Sequence, residues 1–163
     1  MSDGAKGLSR QQMCDRLAME FEDGWVVNLG IGIPTLCSNF DFGDKQIIFH
    51  AENGDFANWK MAGQKGGGIG GAMDLAACAK HVFVAMEQVT RNGRPRLVER
   101  CAIPITAKGV VDLVITNYGL FAITPDGMAL RELAPGVSVD EVKATVGCNL
   151  LVPREVPPVR MRG

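Results

Sequence analysis

The sequence has no Cys-x-x-Cys pair, no apolar run near the length of a membrane span, only two histidines and a formal net charge of -1 over 163 residues. Each absence excludes a class of function. Five cysteines (Cys14, Cys37, Cys78, Cys101 and Cys148) are odd in number and widely spaced, which suits reduced thiols better than a disulfide framework or a zinc site. Two histidines without a closely spaced ligand set argue against a dedicated metal centre. His50 and His81 lie on apolar strands with no Ser or Cys in a nucleophile context, so Ser/His and Cys/His mechanisms have little support. A near-neutral charge without a basic cluster gives no field for nucleic acid, and any anionic ligand must be held by a local site. The start, Met-Ser-Asp-Gly-Ala-Lys-Gly, has no apolar core of a signal peptide, so the expectation is a cytoplasmic protein that does not engage membranes.

What is present is an ordinary globular composition, 47% hydrophobic and 21% charged, sufficient for one domain with a real core. The pattern predicts a disordered stretch over 1–8, one domain over 9–153 and a Pro- and Arg-containing tail over 154–163. Ser9 and Gln12 have the form of a capping box, and Met13, Leu17, Ala18 and Phe21 recur at helical spacing, so a helix is expected to end near Asp23-Gly24. Trp25–Leu29 reads as a buried strand, broken by Gly30-Ile31-Gly32-Ile33-Pro34, with Pro34 starting a second helix. Gln46–His50 reads as a strand, Ala72–Ala79 as a helix and His81–Met86 as another buried strand. Strands are further expected at Arg96–Cys101, Leu113–Thr116, Leu120–Thr124, Met128–Leu133 and Asn149–Val152, with a helix over Val139–Val146 capped by Ser138. Alternation in the first half argues for an α/β fold with a mainly parallel sheet flanked by helices, and the C-terminal half is strand-rich.

Three stretches are candidates for chemistry. Glu52-Asn53-Gly54 directly follows a strand, where reactive groups of an open α/β sheet converge; it reads equally as a polar turn before a tight Asn-Gly bend. Gly30 and Gly32 also follow a strand, as a sharp turn or as a place where backbone approaches a ligand. Gly66–Gly71 formally satisfies G-x-G-x-x-G, but the preceding Lys60–Lys65 is not a strand, which removes most of the support for a dinucleotide site. The same glycines present the start of the helix at Ala72, whose free N–H groups could face an anion.

Taken in order, Val27-Asn28-Leu29-Gly30-Ile31-Gly32-Ile33-Pro34-Thr35, Glu52-Asn53-Gly54 and Gly70-Gly71-Ala72-Met73-Asp74-Leu75 resemble one family. The chain is similar to the B (beta) subunit of family I CoA-transferases, the 3-oxoacid type that includes acetoacetate and succinyl-CoA enzymes. The later stretches VAMEQ, RCAIPITAKGVVDLVIT and LRELAPGVSVDEVKA extend the likeness from Ser9 to Pro153. It implies the CoA-transferase (NagB/RpiA-like) fold and a hetero-oligomer with an A (alpha) subunit. The substrates it implies are an acyl-CoA and a short-chain carboxylic or 3-oxo acid; no bound cofactor is implied, since coenzyme A is itself a substrate.

The resemblance places the catalytic nucleophile at Glu52 and substrate- or CoA-binding groups at Asn28, Gly30, Gly32, Gly70, Gly71 and Ala72, with no metal. Backbone N–H groups around Gly30–Gly32 or Gly70–Ala72 would face the thioester oxygen, and Asn28 would orient the substrate. Two departures accompany the likeness. Gln46–Glu52 resembles the approach to the family's first glutamate motif, whereas Asp55-Phe56-Ala57-Asn58-Trp59 resembles the continuation of a second, later one, which implies that an internal segment after Gly54 is missing. Family lysines also fall at positions held here by Gln64 and Gly67. The alternative is therefore a catalytically impaired remnant that retains the fold and subunit association.

Overall fold

The computed structural model describes residues 6–30, 32–39, 48–50, 72–99 and 107–161, and the side chains of 48–50, 72 and 73 are not among what it describes. Helix α1 (Arg10–Ala18) begins with the expected capping box: the Ser9 hydroxyl accepts from the Gln12 N–H, and the Gln12 side chain accepts from the Ser9 N–H. Met13, Cys14, Leu17 and Ala18 form its buried stripe. The helix stops at Ala18, short of the expected Asp23-Gly24. Beyond it, N–H groups of Glu20, Phe21 and Trp25 donate to carbonyls three residues back, a tighter winding that still carries Phe21 inward from Ala18.

Strand β1 (Val26–Asn28) pairs in parallel with β2 (Ile48–His50), Asn28 opposite His50. β1 is half-buried rather than fully buried. Trp25, Val27 and Leu29 turn toward the cluster of Cys14, Ala18, Phe21 and Cys37, whereas Val26, 70% exposed, and Asn28 face outward. The segment starting with Pro34 is a 3-10 helix (Ile33–Asn39), where an ordinary helix was expected. The hydroxyls of Thr35 and Ser38 donate to the carbonyls of Gly32 and Thr35 at 2.7 and 2.8 Å, so each competes for an acceptor that an α-helix would use.

A second sheet holds β3 (Phe83–Ala85), β4 (Leu113–Thr116), β5 (Gly119–Thr124), β6 (Gly127–Leu133) and β7 (Leu150–Leu151), in that spatial order. β3–β4 and β6–β7 are parallel; β4–β5 and β5–β6 are antiparallel hairpins. Three of the five described pairings are thus parallel, with consecutive strands gathered in the C-terminal half as expected. Gly119 is required by space: a Cβ there would stand 2.4 Å from the Glu132 carbonyl oxygen, next to the register irregularity at Leu120/Phe121. Ile115, Phe121, Leu130 and Val142 are fully buried at the centre. Ile33 and Phe83 pack against both this core and the α1 cluster.

The strand expected at Arg96–Cys101 is not formed over its described part. Val98 makes one isolated bridge to Gly147, because its partner is the short irregular segment after helix α3 (Val139–Ala144) and offers no length for a ladder. Helix α2 (Ala72–Cys78) is present. α3 carries a second capping box, Ser138 with Glu141, and Lys6 adds an ion pair to Glu141 that, with the Ser138 N–H, holds its carboxyl down at about 2. Ser138→Ala removes the acceptor for the Glu141 N–H, and a loss of about 1 kcal/mol is expected in urea unfolding.

The described residues near both ends of the chain are held to the body of the fold. The Gly7 and Leu8 N–H groups donate to Pro135 and Asn117 carbonyls at 2.8 Å, and Leu8 is buried. At the other end Pro158 bridges Leu133, and Val159 is 6% exposed.

Candidate active site

Because β1 and β2 run parallel, their carboxyl ends, Asn28 and His50, lie on one edge. Asn28 ends β1 with its side chain on the exposed face. Gly32 has φ +110, a conformation other residues adopt only under strain, and a Cβ there would meet nothing within 4 Å. Glycine is needed at this point for the turn and leaves the backbone open on one side.

An open groove of about 480 Å³ begins at this turn. Gly32, Ile33 and Leu36 supply one wall, Ala85, Met86 and Glu87 at the end of β3 the other, and Arg10 and Arg96 the rim. Its position outside the carboxyl ends of parallel strands is where open α/β sheets bind ligands. Arg10 Nε donates to Glu87 Oε1 at 3.1 Å, and Arg96 Nε donates to the Val89 carbonyl at 3.4 Å. Among the described lining residues, two guanidinium groups stand against one carboxylate, a positive balance.

The β3 wall is fixed by a buried polar set behind it. The Gln88 N–H donates to Asn117 Oδ1 at 2.8 Å, the Thr116 hydroxyl donates to Gln88 Oε1 at 2.8 Å, and Gln88 and Thr116 are both fully buried. Such groups stay buried only while these bonds hold, which sets the direction in which Glu87 leaves the sheet.

Helix α1, which supplies Arg10 to the rim, is held by an ionic cluster. Arg16, 2% exposed, donates through Nε and Nη2 to both carboxylate oxygens of Glu132 at 2.7 and 2.6 Å, and through Nη1 to Glu20. Arg160 adds its backbone N–H and its Nε to Glu132 at 3.0 and 3.2 Å. Burial opposes ionisation of Glu132, but the Arg16 and Arg160 hydrogen bonds outweigh it and hold the carboxyl below the usual range.

Of the residues predicted for the site, the structure brings Asn28, Gly30 and Gly32 together at the end of β1 and sets Ala72 at the start of α2. Glu52, Gly70 and Gly71 lie outside the described residues. The reading of composition and motifs missed Arg10, Arg96 and the Arg16–Glu132–Arg160 cluster. Arg16 carried a signal: it sits three residues after Met13, so a charge falls on the apolar stripe of an amphipathic helix. Among the described residues no group of three or more His, Cys, Asp or Glu side chains could hold a metal ion. No described helix is long and apolar enough to cross a membrane.

Residues 49–145 match the family described as Coenzyme A transferase. The chain is 33% identical to a probable coenzyme A transferase subunit beta of Bacillus subtilis, covering 82% of this chain and 90% of that one. It is 32% identical to the mitochondrial succinyl-CoA:3-ketoacid coenzyme A transferase 2A of Rattus norvegicus, over 93% of this chain and 41% of the rat protein. Its fold matches that of an E. coli O157:H7 acyl-CoA transferase solved as a thioester complex with CoA, with TM-score 0.69, 16% identity, and coverage of 98% of this chain and 44% of that one. The chain thus spans less than half of the rat and E. coli proteins and most of the Bacillus one.

The alignments carry a further fact. The Bacillus alignment runs over 195 positions while using 82% of a 163-residue chain, about 134 residues, so about 60 positions inside it face no residue of this chain. The rat alignment, 215 positions over 93% of the chain, likewise leaves about 60 positions that face no residue of this chain. The family match, the Bacillus relative and the shared fold together establish that this chain belongs to the coenzyme A transferase family, in the B-subunit (beta) class.

Proposed function

We propose that the chain is the B subunit of an acyl-CoA:carboxylate CoA-transferase of the 3-oxoacid type, working with an A subunit and using Glu52 as nucleophile. The observation that carries this reading is the parallel pairing of β1 with β2. It sets the ends of the two strands, Asn28 and His50, on one edge, and Gly32 just beyond that end of β1 lines a groove that Arg10 and Arg96 also line.

The Glu52 carboxylate attacks the thioester carbonyl and expels CoA thiolate, leaving an acyl-glutamyl anhydride. The thiolate attacks the glutamyl carbonyl, releases the first acid and leaves a glutamyl-CoA thioester. The acceptor carboxylate attacks that thioester, and the returning thiolate takes its acyl group as a new acyl-CoA, restoring Glu52. A carboxylate with a reference pKa of ~4.3 is ionised at neutral pH but is a weak nucleophile while hydrated. The site must therefore exclude water and aim donors at the developing oxyanion. The Gly30–Gly32 backbone, Gly70, Gly71 and the Ala72 N–H serve that purpose in this reading, and Asn28 orients the acid.

A second reading has its own support. About 60 family positions have no counterpart here, and their loss after Gly54 would remove active-site contacts while leaving the described sheets in place. In that case the chain associates with an A subunit without turning over. One experiment separates the two. The protein is mixed with a CoA-transferase A subunit and acyl-CoA, and the tryptic peptide 46–60 is weighed. A CoA adduct on Glu52 supports the enzyme; a stable complex that never gains the adduct supports the remnant.

A further inference from the structure

Cys14 on α1 and Cys37 on the 3-10 helix lie in one buried cluster with Ala18, Phe21 and Leu29, at 0% and 2% exposure. The Cys14 thiol donates to the Ile33 carbonyl at 2.8 Å, and the Cys37 thiol lies 3.7 Å from the Cys14 carbonyl, across 23 residues of chain. The neighbouring Cys37 thiol lowers the pKa of Cys14, and Cys14 in turn raises that of Cys37. One thiol that ionises more readily with the help of its neighbour is the division of labour of a reactive dithiol. Ordinary packing needs only two small apolar side chains here, with no reason for the Cys37 sulfur to lie 3.7 Å from the backbone carbonyl of Cys14.

We propose that Cys14 and Cys37 are a redox pair that closes to a disulfide when the protein meets a peroxide. The Cys14 thiolate attacks the O–O bond of hydrogen peroxide, becoming a sulfenic acid as water is released. The Cys37 thiol then attacks that sulfur, a second water leaves, and the S–S bond forms. Two thiols are oxidised and one peroxide is reduced to two waters. The route of entry is lifting of the 3-10 helix, whose residues 34–36 are half-exposed, 38 and 39 exposed, and whose turns are held by bonds to the residue three back. The consequence lies in the groove: Ile33 and Leu36 flank Cys37 on that helix and line the groove wall. The disulfide ties the wall to α1, whereas the dithiol leaves it free to move.

The test treats the full chain with hydrogen peroxide, blocks remaining thiols with iodoacetamide and digests with trypsin. Peptide 11–16 linked to peptide 17–45 is expected, with loss of two hydrogens from the intact mass, reversal by dithiothreitol and a higher unfolding midpoint for the oxidised form. Recovery of Cys14 and Cys37 as separate alkylated or sulfinic species, or linkage of either to another cysteine, overturns the proposal. Cys37→Ala should abolish the linked peptide. Cys78→Ser, at an exposed position on α2, should leave it unchanged, and its loss in that variant would also overturn the assignment.

Discussion

Glu132→Ala is expected to cost about 3–5 kcal/mol of folding free energy, read as a fall in the urea midpoint. The size follows from what is left behind. The Arg16 side chain is 1% exposed and loses both arms of its bidentate partner, keeping only Glu20, which is 30% exposed. Arg160 loses the acceptor for its backbone N–H at the same time. Glu20→Ala, by contrast, removes a partly hydrated partner and is expected to cost less than about 1 kcal/mol. Equal effects from the two variants would show that the cluster does not act through burial. Replacing Arg16 and Glu132 together by apolar residues of similar volume should recover much of the loss, because the penalty lies in the stranded charge rather than in the missing attraction.

The same residue sets a pH dependence. Its folded pKa lies below the unfolded value of 4.5, so its contribution is fully present above about 4.5 and is lost as pH falls through the lower folded value. Glu132→Gln removes that acid-side slope, which urea midpoints taken on either side of pH 4.5 will show.

Glu52→Gln should abolish the CoA adduct and lower transfer by on the order of 10⁴- to 10⁶-fold, the scale on which removing a nucleophile acts in acyl transfer. The amide keeps the shape of the side chain and loses the charge, so folding and partner binding are expected to survive and be readable in the same sample. Glu52→Asp keeps the charge but withdraws it by one methylene, and a displacement near 1 Å costs ~10²-fold. That ordering, with the aspartate variant well above the glutamine variant, separates a reacting carboxylate from a structural one. Turnover unchanged in both variants would remove Glu52 from the mechanism.

The sequence made legible whatever is governed by local rules. The Ser9–Gln12 capping box, the Ser138 cap, the β5–β6 hairpin turning at Pro125-Asp126, and the strand-to-glycine turn at Asn28–Gly32 depend on residues within a few positions of one another. Less legible were features whose partners are remote. Gly7 and Leu8 look like a loose start until Pro135 and Asn117 accept their N–H groups, and Val159 sits in a Pro- and Arg-containing stretch that local pattern reads as a tail. The 3-10 winding at Ile33–Asn39 depends on which carbonyl a hydroxyl captures, a choice that hydrophobic period does not encode. The proposal of Glu52 as nucleophile rests on the order of motifs rather than on its immediate neighbours, which are those of an ordinary turn.

The bond between Arg16 and Glu132 spans 116 residues of chain. Closing so long a loop costs entropy that the β4–β5 and β5–β6 hairpins, with loops of two residues, do not incur. The hairpins are expected to form early and the ionic clamp late, after the folding barrier has been crossed. An interaction absent from the transition state acts on the rate of unfolding rather than of folding. The cluster that seats α1 on the sheet is thereby a kinetic lock, which slows the opening of the molecule without hastening its assembly.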